Sequence, residues 1–413
     1  MFIREHLKNG IRIVAEEIKY VNSISIGIWV KSGSRYETPL NNGVSHFIEH
    51  MLFKGTKHRN AKEIANSIDK IGGQLNAFTS KECTCFYAKV LDSHFDIALD
   101  VLSDMLQNSL FLEAEIEKEK RVVMEEISMY EDSPEDLVHD IYTQTVLAGN
   151  SLGMPILGTK ETIGSLSREN IIDYFNQVFS AENIVISIVG NFDKKYIFEK
   201  IEKAFGNYEL TKAKQNTDEG SKFVSDICHK KKDTEQVHIC IGYKGIELGS
   251  KYVYPLLVVN NIFGGSMSSR LFQNIREDKG LAYSVFSYPS LYTNCGLFTI
   301  YSGMHPTQTK TVVDLINYEI SELKELGIKE QELFDSKEQL KGNYILGLES
   351  TSGRMISIGK SELLLSRIYS PEEILELIDS VKMDDVNHII NTVFDEKYKG
   401  AAIIGPNGID SEN

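Results

Sequence analysis

Long apolar runs are absent from this sequence, and basic residues are scarce. No segment reaches the roughly 18 consecutive apolar residues of a membrane-spanning helix, so no membrane partner is expected. The 44 lysine and arginine residues are outnumbered by 59 acidic residues, which gives a net charge of −15. This balance argues against a nucleic-acid partner, because binding to phosphate depends mainly on lysine and arginine.

Cysteine is also scarce. The five cysteines include no CxxC pair, which is typical of reduced thiols in a cytosolic protein and not of a disulfide framework. The first residues, MFIREHLKNGIRIVAEEI, lack the apolar stretch and the small-residue cleavage site of a secretory signal. We therefore predict a cytoplasmic location.

The chain is long enough for more than one domain, since its 413 residues exceed the roughly 100–200 residues of a typical domain. Apolar periodicity fades over residues 211–234, where charged and small residues dominate, so we interpret this segment as a linker. It separates an N-terminal domain, 1–210, from a C-terminal domain, 235–413. Both mix helices with strands without strict β-α-β alternation. The predicted fold class is therefore α+β, with two tandem, similar halves that each form a mostly antiparallel sheet flanked by helices.

Residues 43–56, GVSHFIEHMLFKGT, place three polar residues inside an apolar run: His46, Glu49 and His50. On a helix, positions four apart share a face and the position three along lies beside them. Both histidines could therefore bind one cation, with Glu49 within reach of a water bound to it. Two histidines on a helix are more often surface or core residues than ligands. Here the helix is apolar nearly all round, and burying unpaired histidine and glutamate would be costly.

The order H-x-x-E-H is the inverse of the common zinc-peptidase motif and is itself a known zinc signature. A catalytic zinc takes three protein ligands and leaves one position for water. The helix predicted over 113–131 offers Glu119 and Glu126 on one stripe with Val122 and Val123. A solvated face would explain any single glutamate there. The pair on an apolar stripe favours Glu126 as the third ligand and Glu119 as a supporting carboxylate.

Several separate stretches resemble the pitrilysin/insulinase superfamily of zinc metallopeptidases, above all its bacterial and mitochondrial processing-peptidase type. They are HFIEHMLFKGT, GGQLNAFTSKE, EKEKRVVMEEI and FGGSMSSRLFQNIREDKGLAYSVFSY. The resemblance covers nearly the whole chain. It implies one Zn²⁺ per chain, bound by His46, His50 and Glu126, with Glu49 as the general base that activates the zinc-bound water and Glu119 in support. It also implies two halves that close like a clam shell, and a homodimer.

The resemblance further implies roles for residues that spacing alone does not single out. Arg276 and Tyr283 match the arginine–tyrosine pair of the family, whose donors would stabilise a developing oxyanion. Without the resemblance they would be an exposed arginine and a strand tyrosine. Asn76, Ala77 and Phe78 match the strand beside which an extended peptide substrate binds by backbone pairing.

The favoured hypothesis is a zinc-dependent endopeptidase that hydrolyses short or unfolded polypeptides. The second half contains only Gly264-Gly265 and no long glycine-rich loop, which favours a general oligopeptidase over presequence processing. One alternative is a catalytically silent assembly or structural protein of the same fold, and another is a zinc hydrolase that does not act on peptides. Silent relatives lack the ligand set, whereas this sequence keeps all of it.

Overall fold

The computed structural model describes residues 2–208 and 220–406, and it divides into two compact units. The first unit comprises Met1–Ile127, Met154–Thr217 and Leu346–Ser370, and the second comprises Ser128–Gly153, Asp218–Ile345 and Pro371–Asn413. Each unit thus takes one segment from the other half of the chain. The domains predicted from the sequence, 1–210 and 235–413, are contiguous and do not include this exchange of segments. Residues 209–219, most of which belong to the predicted linker 211–234, lie outside the described residues.

The strands, numbered along the chain, are β1 Ile3–His6, β2 Arg12–Glu17, β3 Ser23–Val30, β4 Gln74–Thr79, β5 Thr84–Leu91, β6 Ile184–Gly190, β7 Ile227–Lys231, β8 Val237–Lys244, β9 Ala282–Leu291, β10 Gly296–Met304 and β11 Lys399–Gly405. The helices are α1 Val44–Leu52, α2 Ala61–Asp69, α3 Phe95–Asn108, α4 Glu113–Asp132, α5 Pro134–Val146, α6 Lys160–Ser165, α7 Arg168–Val178, α8 Lys194–Phe205, α9 Val253–Phe263, α10 Thr309–Leu326, α11 Glu330–Gly347, α12 Thr351–Leu365, α13 Pro371–Asp379 and α14 Met383–Val393.

The first unit is built on a six-stranded sheet in the order β1-β2-β6-β3-β5-β4. Every neighbouring pair is antiparallel except β2 and β6. The sheet buries both faces because alternate residues of each strand point to opposite sides. On one face Ile24, Ile26 and Ile28 join a core with Phe47 and Ile48 of α1.

The opposite face of this sheet is covered by α12, a helix from late in the chain. Trp29 and Val185 of the sheet pack there with Met355 and Ile358 of the helix. The indole N–H of Trp29 donates to Ser187 at 2.8 Å. The backbone of α12 approaches so closely that a Cβ added at Gly359 would lie 2.1 Å from Nε1 of Trp29.

The second unit is built on a five-stranded sheet in the order β7-β11-β8-β10-β9. Its pairs are antiparallel except β7 with β11. This sheet is covered by α5, a helix from the first half of the chain. Val138 and Ile141 of α5 pack with Ala402 and Ile404 of the sheet. Strand β7 falls inside the segment that was predicted to be a linker. The sequence pattern missed it because most of its side chains are exposed and its backbone pairs at the edge of the sheet.

None of the five cysteines, all of which lie among the described residues, forms a disulfide, and four of them are buried. No helix among the described residues is both long and apolar enough to cross a membrane.

The close contact between the backbone of α12 and Trp29 can be tested with a matched control. Gly359→Ala should lower the free energy of unfolding by about 1–3 kcal/mol, because the added methyl group must displace the rigid indole ring. Gly342→Ala, at an exposed position of α11 with no atom near its added Cβ, should instead raise it by about 0.4–1 kcal/mol. Urea unfolding of both variants measures the difference. A Gly359→Ala protein as stable as the wild type would contradict the close contact.

Candidate metal centre

The residues of the H-x-x-E-H motif all lie on α1, whose apolar side is fully buried in the first core. His46 and His50 point their Nε2 atoms toward Glu126 on α4. The distances are 3.9 Å from His46 Nε2 to one carboxylate oxygen and 3.7 Å from His50 Nε2 to the other. The ligand atoms of these three residues all lie within 4.8 Å of one another, and no other such group occurs in the part of the chain that the structure describes.

This donor set fits a zinc ion. Zinc binds histidine nitrogen and carboxylate oxygen at about 2.0–2.2 Å, so tetrahedral neighbours lie roughly 3.3–3.6 Å apart. The observed separations are close to that value and too long for direct hydrogen bonds. Two neutral imidazoles and one carboxylate also leave a fourth position for water, as catalytic zinc sites do.

Glu119 holds His50 in place. It is buried, and its Oε1 lies 2.8 Å from His50 Nδ1 while its Oε2 lies 2.7 Å from Nζ of Lys54. Nδ1–H therefore donates to the carboxylate, which leaves the Nε2 lone pair facing Glu126. Burial raises the pKa of Glu119, but the hydrogen bonds from His50 and Lys54 outweigh it and hold that pKa below its ordinary value.

The two histidine rings differ in the direction of their pKa shifts and in their hydrogen bonding. Burial and the neighbouring His50 lower the pKa of His46 to about 3, so this imidazole is neutral, as a metal ligand must be. Burial also lowers the pKa of His50, but the contact with Glu119 and the nearby carboxylates leave it above its ordinary value. The Nδ1 atom of His46 is buried and makes no hydrogen bond.

Glu49, the predicted general base, is held by a residue that the sequence did not single out. Thr79, the last residue of β4, donates its hydroxyl to Glu49 Oε2 at 2.5 Å. Burial raises the pKa of Glu49, and the Thr79 hydrogen bond opposes the rise. The alternation in β4 could have indicated this contact, because Leu75 and Ala77 pack on the core that contains α1 and Thr79 shares their face.

Helix α4 presents its two predicted carboxylates to α1, as the sequence stripe indicated. One detail of that stripe is wrong, since Val122 is 50% exposed while Val123 is buried. The inward face of α4 consists of Ile116, Glu119, Val123 and Ile127, with Glu126 half-buried beside them.

The strand predicted to bind substrate, β4, lies at an edge of the first sheet, where it pairs only with β5 among the described strands. Asn76 is exposed, whereas Ala77 and Phe78 are half-buried. Phe78 packs edge-on against Trp29 at 5.6 Å between ring centroids. Backbone groups on the outer side of β4 are thus available to an added strand.

Arg276 and Tyr283 belong to the second unit. Arg276 is the last residue but one of a π-helical turn, Phe272–Glu277, and Tyr283 is the second residue of β9. The Arg276 guanidinium lies 5.3 Å from the Tyr283 ring centroid and 4.7 Å from that of Phe272. The tyrosine is 78% exposed, so its ring is not a core residue of this unit.

Comparison with known proteins identifies the family. Residues 12–160 match the family described as Insulinase (Peptidase family M16), and residues 165–340 match the description Peptidase M16 inactive domain. A Bacillus subtilis protein named "Uncharacterized zinc protease YmxG" is 48% identical over 408 residues, which covers 99% of each chain. A Streptomyces coelicolor protein, also named a zinc protease, is 39% identical over 98% of this chain and 89% of its own length.

These matches place the chain among relatives that are named zinc proteases. More narrowly, the chain belongs to the insulinase family of peptidases, which confirms the predicted superfamily.

Solved structures confirm the two-half α+β fold. A protease from Helicobacter pylori superposes with a TM-score of 0.91 at 22% identity, over 98% of this chain and 99% of that one. A Pseudomonas fluorescens structure described as a peptidase M16 inactive domain gives 0.92 at 16% identity, over 99% of this chain and 98% of that one.

The contact between Glu119 and His50 predicts a change in metal affinity. Glu119→Gln keeps the shape of the side chain but removes the negative charge that orients His50 and pairs with Lys54. We expect zinc to bind roughly 10–100-fold more weakly, as for other partners of metal-ligating histidines. Competition with a chromophoric chelator measures the affinity. Glu125→Gln, on the exposed side of α4, is the control and should bind zinc as the wild type does.

Proposed function

We propose that this protein is a zinc-dependent endopeptidase that hydrolyses peptide bonds in short or unfolded polypeptides, with one zinc per chain. The observation that carries the proposal is the convergence of His46, His50 and Glu126 beside the half-buried carboxylate of Glu49. Membership of a peptidase family, with relatives named zinc proteases, supports it.

His46, His50 and Glu126 would hold the metal. Zinc bound there would polarise the substrate carbonyl and lower the pKa of a water to about 7. Glu49 accepts the proton of the attacking water and passes it to the departing amine. Because Thr79 occupies Oε2 of Glu49, the other oxygen of this carboxylate is the one that takes the proton.

The free edge of β4 supports the proposed substrate class. An extended peptide can add beside β4 by main-chain hydrogen bonds, with its own strand edge unpaired. A folded protein rarely offers such an edge. Asn76, Ala77 and Phe78 then lie along the bound peptide. The homodimer and the cytoplasmic location stay predictions.

Arg276 and Tyr283 supply the donors that stabilise the developing oxyanion in this proposal. Their mutual contact orders both side chains, and the exposed hydroxyl of Tyr283 is available to a substrate. A catalytically silent assembly protein is the second candidate, favoured by the match of residues 165–340 to an inactive domain. The ligand set lies in the other matched segment, 12–160, and is complete, so the peptidase is preferred.

Glu49→Gln tests the reaction directly. The amide cannot accept a proton, so turnover of a quenched-fluorescent, unstructured peptide should fall on the order of 10²–10⁴-fold while zinc content stays at the wild-type value. His46→Ala should lose the zinc itself. Metal analysis and peptide assays on the same preparations separate the two effects. Near-normal turnover by fully loaded Glu49→Gln would place the base elsewhere, and a wild type that takes up no zinc would overturn the site.

Tyr283→Phe tests the second unit. The ring and its contact with Arg276 are kept, so only a hydroxyl is lost. If that hydroxyl stabilises the oxyanion, turnover should drop roughly 10²–10³-fold at unchanged zinc content and melting temperature. Tyr20→Phe, at another highly exposed tyrosine, is the control and should leave turnover unchanged. Wild-type kinetics for Tyr283→Phe would remove this residue from the reaction.

A further inference from the structure

The two metal-binding histidines are held in different ways. The ring of His50 is anchored by the hydrogen bond from Nδ1 to Glu119. The Nδ1 atom of His46 is buried and has no hydrogen-bond partner. No side chain therefore fixes the His46 ring by a hydrogen bond, and its position depends on where the backbone of α1 begins. His46 is the third residue of that helix, so the first turn sets its place.

A buried carboxylate accepts hydrogen bonds from the backbone of this first turn. Glu37 is 4% exposed, and its Oε2 accepts the backbone N–H of Gly43 at 2.7 Å while Oε1 accepts that of Ser45 at 2.8 Å. The side-chain amide of Asn42 also donates to Oε2 at 2.8 Å. Gly43 at the N-cap has no side chain that could cap the helix. Glu37 thus takes over the capping of α1 from outside the helix.

The same turn is enclosed from the other side by backbone. Asn42 donates a second hydrogen bond to the carbonyl of Pro155 at 2.9 Å. Gly43 has a φ of 93°, and a Cβ there would lie 2.6 Å from the carbonyl oxygen of Leu157. At Gly158 a Cβ would lie 2.4 Å from the carbonyl oxygen of Asn42. The start of α1 therefore has little room to shift or rotate.

We propose that Glu37 is a positioning residue for the metal site, which acts through the first turn of α1 to place His46. This inference rests on the proposed zinc site and adds a residue to it. The carboxylate suits the task because both oxygens only accept hydrogen bonds, and the negative charge lies at the positive end of the helix dipole. Glutamine has only one accepting oxygen. Its side-chain NH₂ group would face one of the N–H donors that the carboxylate now accepts, and that hydrogen bond would be lost. The start of α1 would then move, and His46 with it.

The test compares Glu37→Gln with Glu362→Gln in zinc-loaded full-length protein. Glu362 is also buried in the first unit, where it pairs with Arg4 and Arg12 away from the metal ligands. Both variants should lose thermal stability. Only Glu37→Gln should bind zinc more weakly, roughly 10–100-fold by chelator competition. Its cobalt(II)-loaded form should also show an altered visible spectrum, which reports ligand geometry independently of peptidase activity.

Each outcome decides one claim. A wild type that binds no zinc overturns the proposed function itself. If the wild type binds zinc and Glu37→Gln keeps the zinc affinity within about twofold, with an unchanged cobalt spectrum, the positioning role of Glu37 is overturned and the metal site stands. Equal losses of affinity in Glu37→Gln and Glu362→Gln would also overturn it, since general destabilisation would then explain both. Should Glu37→Gln not fold, Asn42→Ala, which removes one donor to Glu37, is judged by the same criteria.

Discussion

The cost of burying polar side chains on α1 governs the architecture of this site. Five apolar residues fix the helix in the first core: Val44, Phe47, Ile48, Met51 and Leu52. Placing them there takes the motif residues out of bulk water as well. An unpaired buried donor or acceptor costs about 1–3 kcal/mol, and a charged one costs more. Partners must therefore come from elsewhere in the fold, and one metal ion bound by His46 and His50 would satisfy both Nε2 atoms at once.

Those partners arrive from three different segments of the chain. Glu119 and Glu126 come from α4, Thr79 from the end of β4, and Glu37 from the loop between β3 and α1. Because Glu49 and His50 are each bound by a residue outside α1, their positions are set before a substrate arrives. This preorganisation is what electrostatic catalysis requires.

The sequence was informative where a pattern is local. Helical spacing placed His46, Glu49 and His50 together, and the stripe on α4 indicated Glu119 and Glu126. Glu37 was missed because it acts across a tertiary contact that has no sequence periodicity. The alternation in β4 puts Thr79 on the face of Leu75 and Ala77, but it does not name Glu49 as the partner. The edge strand β7 was missed for a related reason, since its pairing is made by backbone atoms while its exposed side chains carry no apolar alternation. The exchange of α5 and α12 is likewise invisible, because a helix pattern shows which face is apolar but not which sheet it covers.

The late position of α12 has a consequence for biosynthesis. The six strands of the first sheet have all been translated once Gly190 is made, but the helix that covers Trp29 and Val185 begins only at Thr351. At about 5–20 residues per second, the ribosome needs roughly 8–30 s to reach it. During that interval the native cover of this apolar sheet face is missing, and transiently exposed apolar surface of this kind is prone to aggregation. This face of the first sheet thus gains its native cover only when most of the polypeptide has emerged from the ribosome.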